Sequence, residues 1–206
     1  MVRSDPVGWP VRFFLLQISS GVWGRQPHGD AAMMIDISIE HARWSELDLP
    51  VLCDRAVRAT LAHLGFDPDL YAVSILACGD ARIALLNGEF RDKPKPTNVL
   101  SWPAQDLAAE EDGESPYVPD ETPQDDPFEI EEDEEGIALG DIALAWETCA
   151  REAAEAGKTL TDHVTHLLVH GTLHLLGYDH LRDKDATLME TIEVAILGKL
   201  GVADPY

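Results

Sequence analysis

The stretch TDHVTHLLVHGTLHLLGYDH, residues 161 to 180, places four histidines on one run of chain and a fifth just past a glycine. His163, His166, His170 and His174 recur at three- and four-residue spacing, so a helix sets them near one face. Leucine and valine fill the positions between them. Thr161 or Asp162 offers a cap and Gly177 a stop, which predicts a helix over 161–176. The chain must then turn back at Gly177.

That turn decides which histidines can work together. His166 and His174 are eight residues apart, about 12 Å along a helix axis at ~1.5 Å per residue. Zinc–nitrogen bonds are only about 2.0–2.1 Å long. One helix can therefore give two ligands, and a third must come from chain that folds back. Glycine readily takes the left-handed conformation that ends a helix, so Gly177 can aim His180 at the ion. Geometry thus selects His170, His174 and His180 as ligands of one zinc ion. Three protein ligands leave a fourth position open, the arrangement of catalytic rather than structural zinc. His166 is left as a helix-surface residue or one that steadies a ligand ring. Asp179, beside His180, either does the same through a hydrogen bond or simply forms the turn.

Working outward, MMIDISIE (33–40) alternates and is rich in isoleucine, which predicts a strand. ELDLPVLCDRAVRATLAHLG (46–65) has helical periodicity, with Pro50 suited to a first turn and Gly65 to a stop. YAVSILAC (71–78) reads as a strand, and DARIALLNGEF (80–90) as a helix capped by Asp80. RDKPKPTN (91–98) is irregular because Pro94 and Pro96 break helix and strand alike. VLSW (99–102) and DIALAW (141–146) are further strands, 148–157 a helix ending at Gly157, and 183–200 a last helix. Strands and helices interleave early and helices dominate late. The fold class expected is α+β, a small mixed β-sheet packed with helices.

Composition adds bounds. Apolar content of 45% in 206 residues allows a real core in one domain. Cys53, Cys78 and Cys149 are odd in number, widely spaced and in no C-x-x-C pair. They read as buried apolar side chains in a reducing compartment, and the cytoplasm is expected. The net charge of −23 argues at first against a nucleic-acid partner. It is unevenly placed, because 104–139 holds fifteen Asp and Glu and no Lys or Arg, leaving −8 on the rest. That Pro-rich acidic tract, about 104–137, is expected to be a disordered or loosely packed insertion in a domain spanning 33–206. Residues 1–32 are expected to be a disordered leader, or an upstream start before a true one at Met33 or Met34. Their apolar run VRFFLLQI is far below the ~20 residues that cross a bilayer, so no membrane partner is expected.

The histidine rhythm, H-x-x-x-H-x-x-G-x-x-H, is that of one class of zinc proteases. Gly171, however, stands where those enzymes carry their glutamate base. Amide hydrolysis is weakened by that loss. Phosphodiester cleavage depends less on such a base, since zinc polarises a phosphoryl oxygen and acidifies water. It needs a cation for the phosphate, and Arg91, Lys93 and Lys95 lie on one loop. From the residues alone, that loop is either a phosphate site or a solvated basic turn.

A resemblance favours the first. HGTLHLLGYDH looks like the signature of the YbeY family of bacterial endoribonucleases. LNGEFRDKPKPTNVLSW, LGDIAL and the terminal DPY are similar to further segments of that family, in its order, over roughly Met34 to Tyr206 apart from the acidic tract. The resemblance implies an α+β fold with one zinc in a cleft between helix and sheet. His170, His174 and His180 would be the ligands and Arg91 the functionally important, catalytic arginine; Lys93 and Lys95, on the same loop, are substrate-binding candidates from the residues alone. The resemblance implies cleavage of single-stranded RNA in ribosomal RNA maturation, at the 3′ end of the small-subunit RNA, and a part in ribosome quality control. Precursor RNA and the ribosome or its proteins would be the partners. The rival readings are a non-catalytic ribosome-assembly factor with a zinc site and, on the histidine spacing alone, a metal-dependent peptidase.

Overall fold

The structure is a computed structural model that describes residues 34–119 and 136–206. Four strands, β1 (Met34–Ile39), β2 (Tyr71–Cys78), β3 (Val99–Pro103) and β4 (Ile137–Ala145), form one sheet in the order β1-β2-β4-β3. β1, β2 and β4 run parallel, and β3 runs antiparallel to β4. Five helices accompany them: α1 (Leu49–Leu64), α2 (Asp80–Arg91), α3 (Trp146–Glu155), α4 (Leu160–Leu175) and α5 (Asp183–Leu200). The α+β class with a small mixed sheet is what the sequence predicts.

The central strands β2 and β4 are buried on both faces in their C-terminal halves, as parallel strands require, while β1 leaves one side exposed. The main core joins one face to α1, α4 and α5, with Leu61, Ile75, Ile142, Leu168 and Ile196 among its buried members. A smaller cluster of Leu76, Cys78, Ile83, Leu86, Leu100 and Ala143 seats α2 on the other face. Each such aliphatic side chain stabilises the fold by roughly 1.5–3 kcal/mol relative to exposure. Trp44 and Trp146 meet edge to face at 5.1 Å, and Trp44 Nε1 donates to the Cys78 carbonyl at 2.8 Å. The three cysteines are buried and unbridged. Burial pushes their thiols up to about 12, so they stay protonated and unreactive near neutral pH.

Several boundaries differ from expectation, each for a local reason. β4 begins at Ile137, four residues before the predicted Asp141, with a bulge at Leu139–Gly140 where the register to β2 shifts. Trp146 opens α3 rather than closing a strand, and α3 ends at Glu155. Gly79, not Asp80, is the cap of α2. The Asp80 carboxylate instead accepts from the backbone and hydroxyl of Thr148 in the first turn of α3, while Glu147 accepts from the Asp80 backbone N–H at 2.8 Å. The two helices thus cap one another. α4 is capped by Thr159, whose side chain accepts from the Asp162 N–H.

The acidic tract divides. Residues 104–119 form no helix or strand, yet polar cross-links hold them. Arg182 donates to the carbonyls of Ala109, Glu110 and Glu111 and pairs with Asp185, which accepts from the Gly113 N–H at 2.7 Å. Leu107 is buried, and its carbonyl accepts from the Tyr117 N–H. The expected leader (1–32) and the rest of the tract (120–135) lie outside the described residues. Among the described residues no helix is long and apolar enough to cross a membrane.

Candidate metal centre

α4 lies between two demands. Val164, Leu168, Leu173 and Leu175 anchor it in the core, and Gly171 turns its backbone toward β4. A Cβ at position 171 would lie 3.0 Å from Ile142 Cδ1 and 3.3 Å from its Cγ2. Helix and sheet are in close contact at that point, and any side chain there would press on Ile142. The histidines occupy the adjoining face. Ring centroids step from His163 to His166 to His170 to His174 at 6.3, 6.1 and 4.6 Å.

The helix ends as its glycine predicts. Gly177 N–H donates to the His174 carbonyl and Tyr178 N–H to the Leu173 carbonyl, the paired bonds of a left-handed terminus, with Gly177 at φ 85. Its Cα also faces the acidic tract, for a Cβ there would be 2.7 Å from the Leu107 carbonyl carbon and 2.8 Å from its oxygen. The Asp179 carboxylate then accepts from the His180 N–H at 2.7 Å, which holds the backbone of His180 rather than a ring. His180 lies 5.5 Å from His170 and 5.1 Å from His174, centroid to centroid.

His170 Nε2 and His174 Nε2 are 3.1 Å apart, and one ligand nitrogen from each of the three histidines falls within 4.8 Å of the others. Tetrahedral bonds of ~2.0–2.1 Å separate two ligand nitrogens by about 3.3 Å, so the pair is spaced to share one cation. His174 is neutral at physiological pH. Burial first, then the neighbouring His170 and His180, bring it down to about 4. A neutral imidazole is the form that binds metal, so the donor set fits zinc.

The residue that sequence reasoning misses is Glu193 on α5. It is fully buried, with Oε1 3.2 Å from His170 Nδ1 and 3.4 Å from His166 Nε2, and its carboxylate accepts from the Tyr206 hydroxyl. Burial pushes the carboxyl up, but hydrogen bonds from His166, His170 and Tyr206 outweigh it and hold the group at about 2. His166 thus faces a carboxylate rather than bare solvent. No periodicity in α5 singles out Glu193 from Glu190, so the signal exists only in three dimensions.

Arg91 ends α2, and its guanidinium donates to the Ser101 carbonyl of β3 at 3.3 Å. Lys93 and Lys95 follow in a tight turn held by Asn87, whose side chain donates to the Lys95 carbonyl. All three are exposed, and among the described residues none has an ion-pair partner. No hydrogen bond joins them to the histidines. The link is β3, which carries Arg91 on its Ser101 carbonyl and lies against α4.

Acid should unsettle the metal-stripped chain in a defined order. Between pH 6.5 and 4 the unfolded chain protonates His174 and the folded one does not, so the unfolded state binds more protons and stability falls as pH drops. Glu193 adds a contribution present above pH 4.5 and lost toward pH 2. Urea midpoints measured in chelator should therefore decline steadily from pH 7 to 4. A flat profile would contradict a buried, neutral His174.

The sequence profile of the family described as Endoribonuclease YbeY matches residues 35–201. A protein of Ruegeria pomeroyi named Endoribonuclease YbeY is 58% identical over 175 residues, 84% of this chain and 98% of its own. Its namesake in Dinoroseobacter shibae is 57% identical over 181 residues, 88% of this chain and 94% of its own. That of Paracoccus denitrificans is 51% identical over 172 residues, 84% and 89%. With more than half of the aligned residues shared along almost the full length of each relative, the chain belongs to the Endoribonuclease YbeY family.

Proposed function

We propose that this chain is a zinc-dependent, single-strand-specific endoribonuclease of the cytoplasm. Its substrates would be ribosomal RNA precursors at the 3′ end of the small-subunit RNA, with a part in ribosome quality control and the ribosome or its proteins as partners. One observation carries the reading. Three imidazoles converge beside Gly171, which packs against Ile142 and brings no peptidase carboxylate. The family membership points the same way.

In this reading His170, His174 and His180 hold one zinc ion, in a cleft between α4 and the sheet. When bound, zinc supplies Lewis acidity at a phosphoryl oxygen and lowers the pKa of water to about 7. The chain's own residues do the rest. Arg91 takes the scissile phosphate bidentately and neutralises the charge that grows on it, since a guanidinium keeps its proton. Lys93 and Lys95 hold neighbouring phosphates as point charges. Asp179 fixes the His180 backbone, and His166 stands behind His170 on the shared carboxylate. Glu193 cannot be the base, because it lies on the Nδ1 side of His170 and is fully buried.

The test is cleavage of a single-stranded RNA with a small-subunit 3′-end sequence by the zinc-loaded protein. His174→Ala and Arg91→Ala are expected to lower the rate by at least about 100-fold, the scale of losing one group that stabilises transition-state charge. Duplex RNA should survive. RNA left intact by wild type, with ribosome maturation still rescued by a folded His174→Ala protein, would instead favour a non-catalytic assembly factor.

A further inference from the structure

We infer that Glu193 and Tyr206 are positioning residues that fix His170 as a metal ligand through Nε2; this rests on the three-histidine reading above. A carboxylate with no exposure is tolerated only if its oxygens are partnered. Here Oε1 faces His170 Nδ1 at 3.2 Å and His166 Nε2 at 3.4 Å, and Oε2 accepts from the Tyr206 hydroxyl. Every partner is a donor, because an ionised carboxylate only accepts.

For His170 that settles the tautomer. With the carboxylate as acceptor, the nitrogen that faces it, Nδ1, must carry the proton, which leaves the lone pair on Nε2, 3.1 Å from His174 Nε2. A histidine side chain in water favours the opposite tautomer, with the proton on Nε2, which would block the ligand atom. Glu193 thus selects the form that binds metal, and its charge makes the ring a stronger donor. Tyr206 acts one step further out. It partners the oxygen that no histidine reaches, its ring lies edge-on to His166 at 6.5 Å, and the Pro205 carbonyl beside it accepts from Lys158 Nζ. The tail 201–206 therefore closes the carboxylate that α5 presents.

Zinc affinity measured by competition with a chromophoric chelator tests this directly, with metal content counted per chain. Glu193→Gln keeps the volume and removes the charge, and is expected to weaken zinc binding by about 10- to 100-fold. Tyr206→Phe removes one hydrogen bond, is tolerated at an exposed position, and is expected to cost roughly 3- to 10-fold. Nitrogen NMR of the metal-free ring should show His170 protonated on Nδ1 in wild type and shifted toward Nε2 in Glu193→Gln, while an unchanged urea midpoint shows that the fold has not loosened. Variants that match wild type in affinity overturn the positioning role alone. A folded wild-type chain without zinc affinity overturns it together with the three-histidine reading. Two zinc ions per chain, one lost in Glu193→Gln, would make Glu193 a ligand and likewise overturn it.

Discussion

Gly171→Glu, which installs the residue a zinc protease carries at that point, is expected to unfold the chain rather than create a peptidase. The new Cβ would meet Ile142 at 3.0 Å, so that fully buried side chain must give by a few tenths of an ångström. Overpacking of this kind costs about 1–3 kcal/mol. The carboxyl beyond the Cβ would then be driven into β4 without a partner, adding at least ~3 kcal/mol. Together these are of the order of a small domain's whole stability, about 5–15 kcal/mol. Gly171→Ala separates the two effects. It keeps the crowding but gains about 1 kcal/mol of helix propensity, so it should shift the urea midpoint little. Wild-type stability in Gly171→Glu would mean that helix and sheet separate there at little cost.

Gly177→Ala should damage both stability and metal binding, and a matched control shows why. Gly65 ends α1 at φ 85, the same angle as Gly177, but has nothing within 4 Å of a would-be Cβ. Gly65→Ala therefore measures the left-handed backbone alone, about 1–2 kcal/mol. Gly177→Ala carries that cost and also collides with backbone atoms of Leu107 at 2.7 and 2.8 Å, which no rotamer change relieves. Either 104–119 or the 177–180 turn must move, and the turn carries His180. The expected result is a loss of about 3 kcal/mol or more, from adding overpacking to the backbone cost, with zinc affinity down by about tenfold or more. Equal effects at the two glycines would show that the Leu107 contact carries no weight.

What could be read from the chain beforehand follows from how local each signal is. His170, His174, Gly177 and His180 were legible because helix spacing and one glycine define their geometry within eleven residues. The strand pattern was legible where isoleucine and valine alternate, and less so at β4, where Gly140 interrupts the run and acidic residues precede it. Glu193 and Tyr206 were not legible. Their meaning comes from α5 and the tail packing back on α4, and nothing in either stretch announces that contact. Asp80 misled for the opposite reason: it has the right composition for a cap, but it caps a helix sixty-odd residues away.

The bond from Arg91 to the Ser101 carbonyl has a consequence for self-association. Among the described residues β3 is the last strand on its side of the sheet, a place where unpaired backbone groups invite another chain's strand, and the Asn98 side chain already takes the Val99 N–H there. Arg91 covers one β3 carbonyl and sets a positive charge on that rim, where two copies would bring like charges together. The same side chain that is proposed to receive RNA phosphate therefore also caps a backbone group of a terminal strand. Arg91→Ala removes both roles at once, so its activity belongs beside a sedimentation measurement, and Arg91→Lys, which keeps the repulsion without the bidentate fork, separates them.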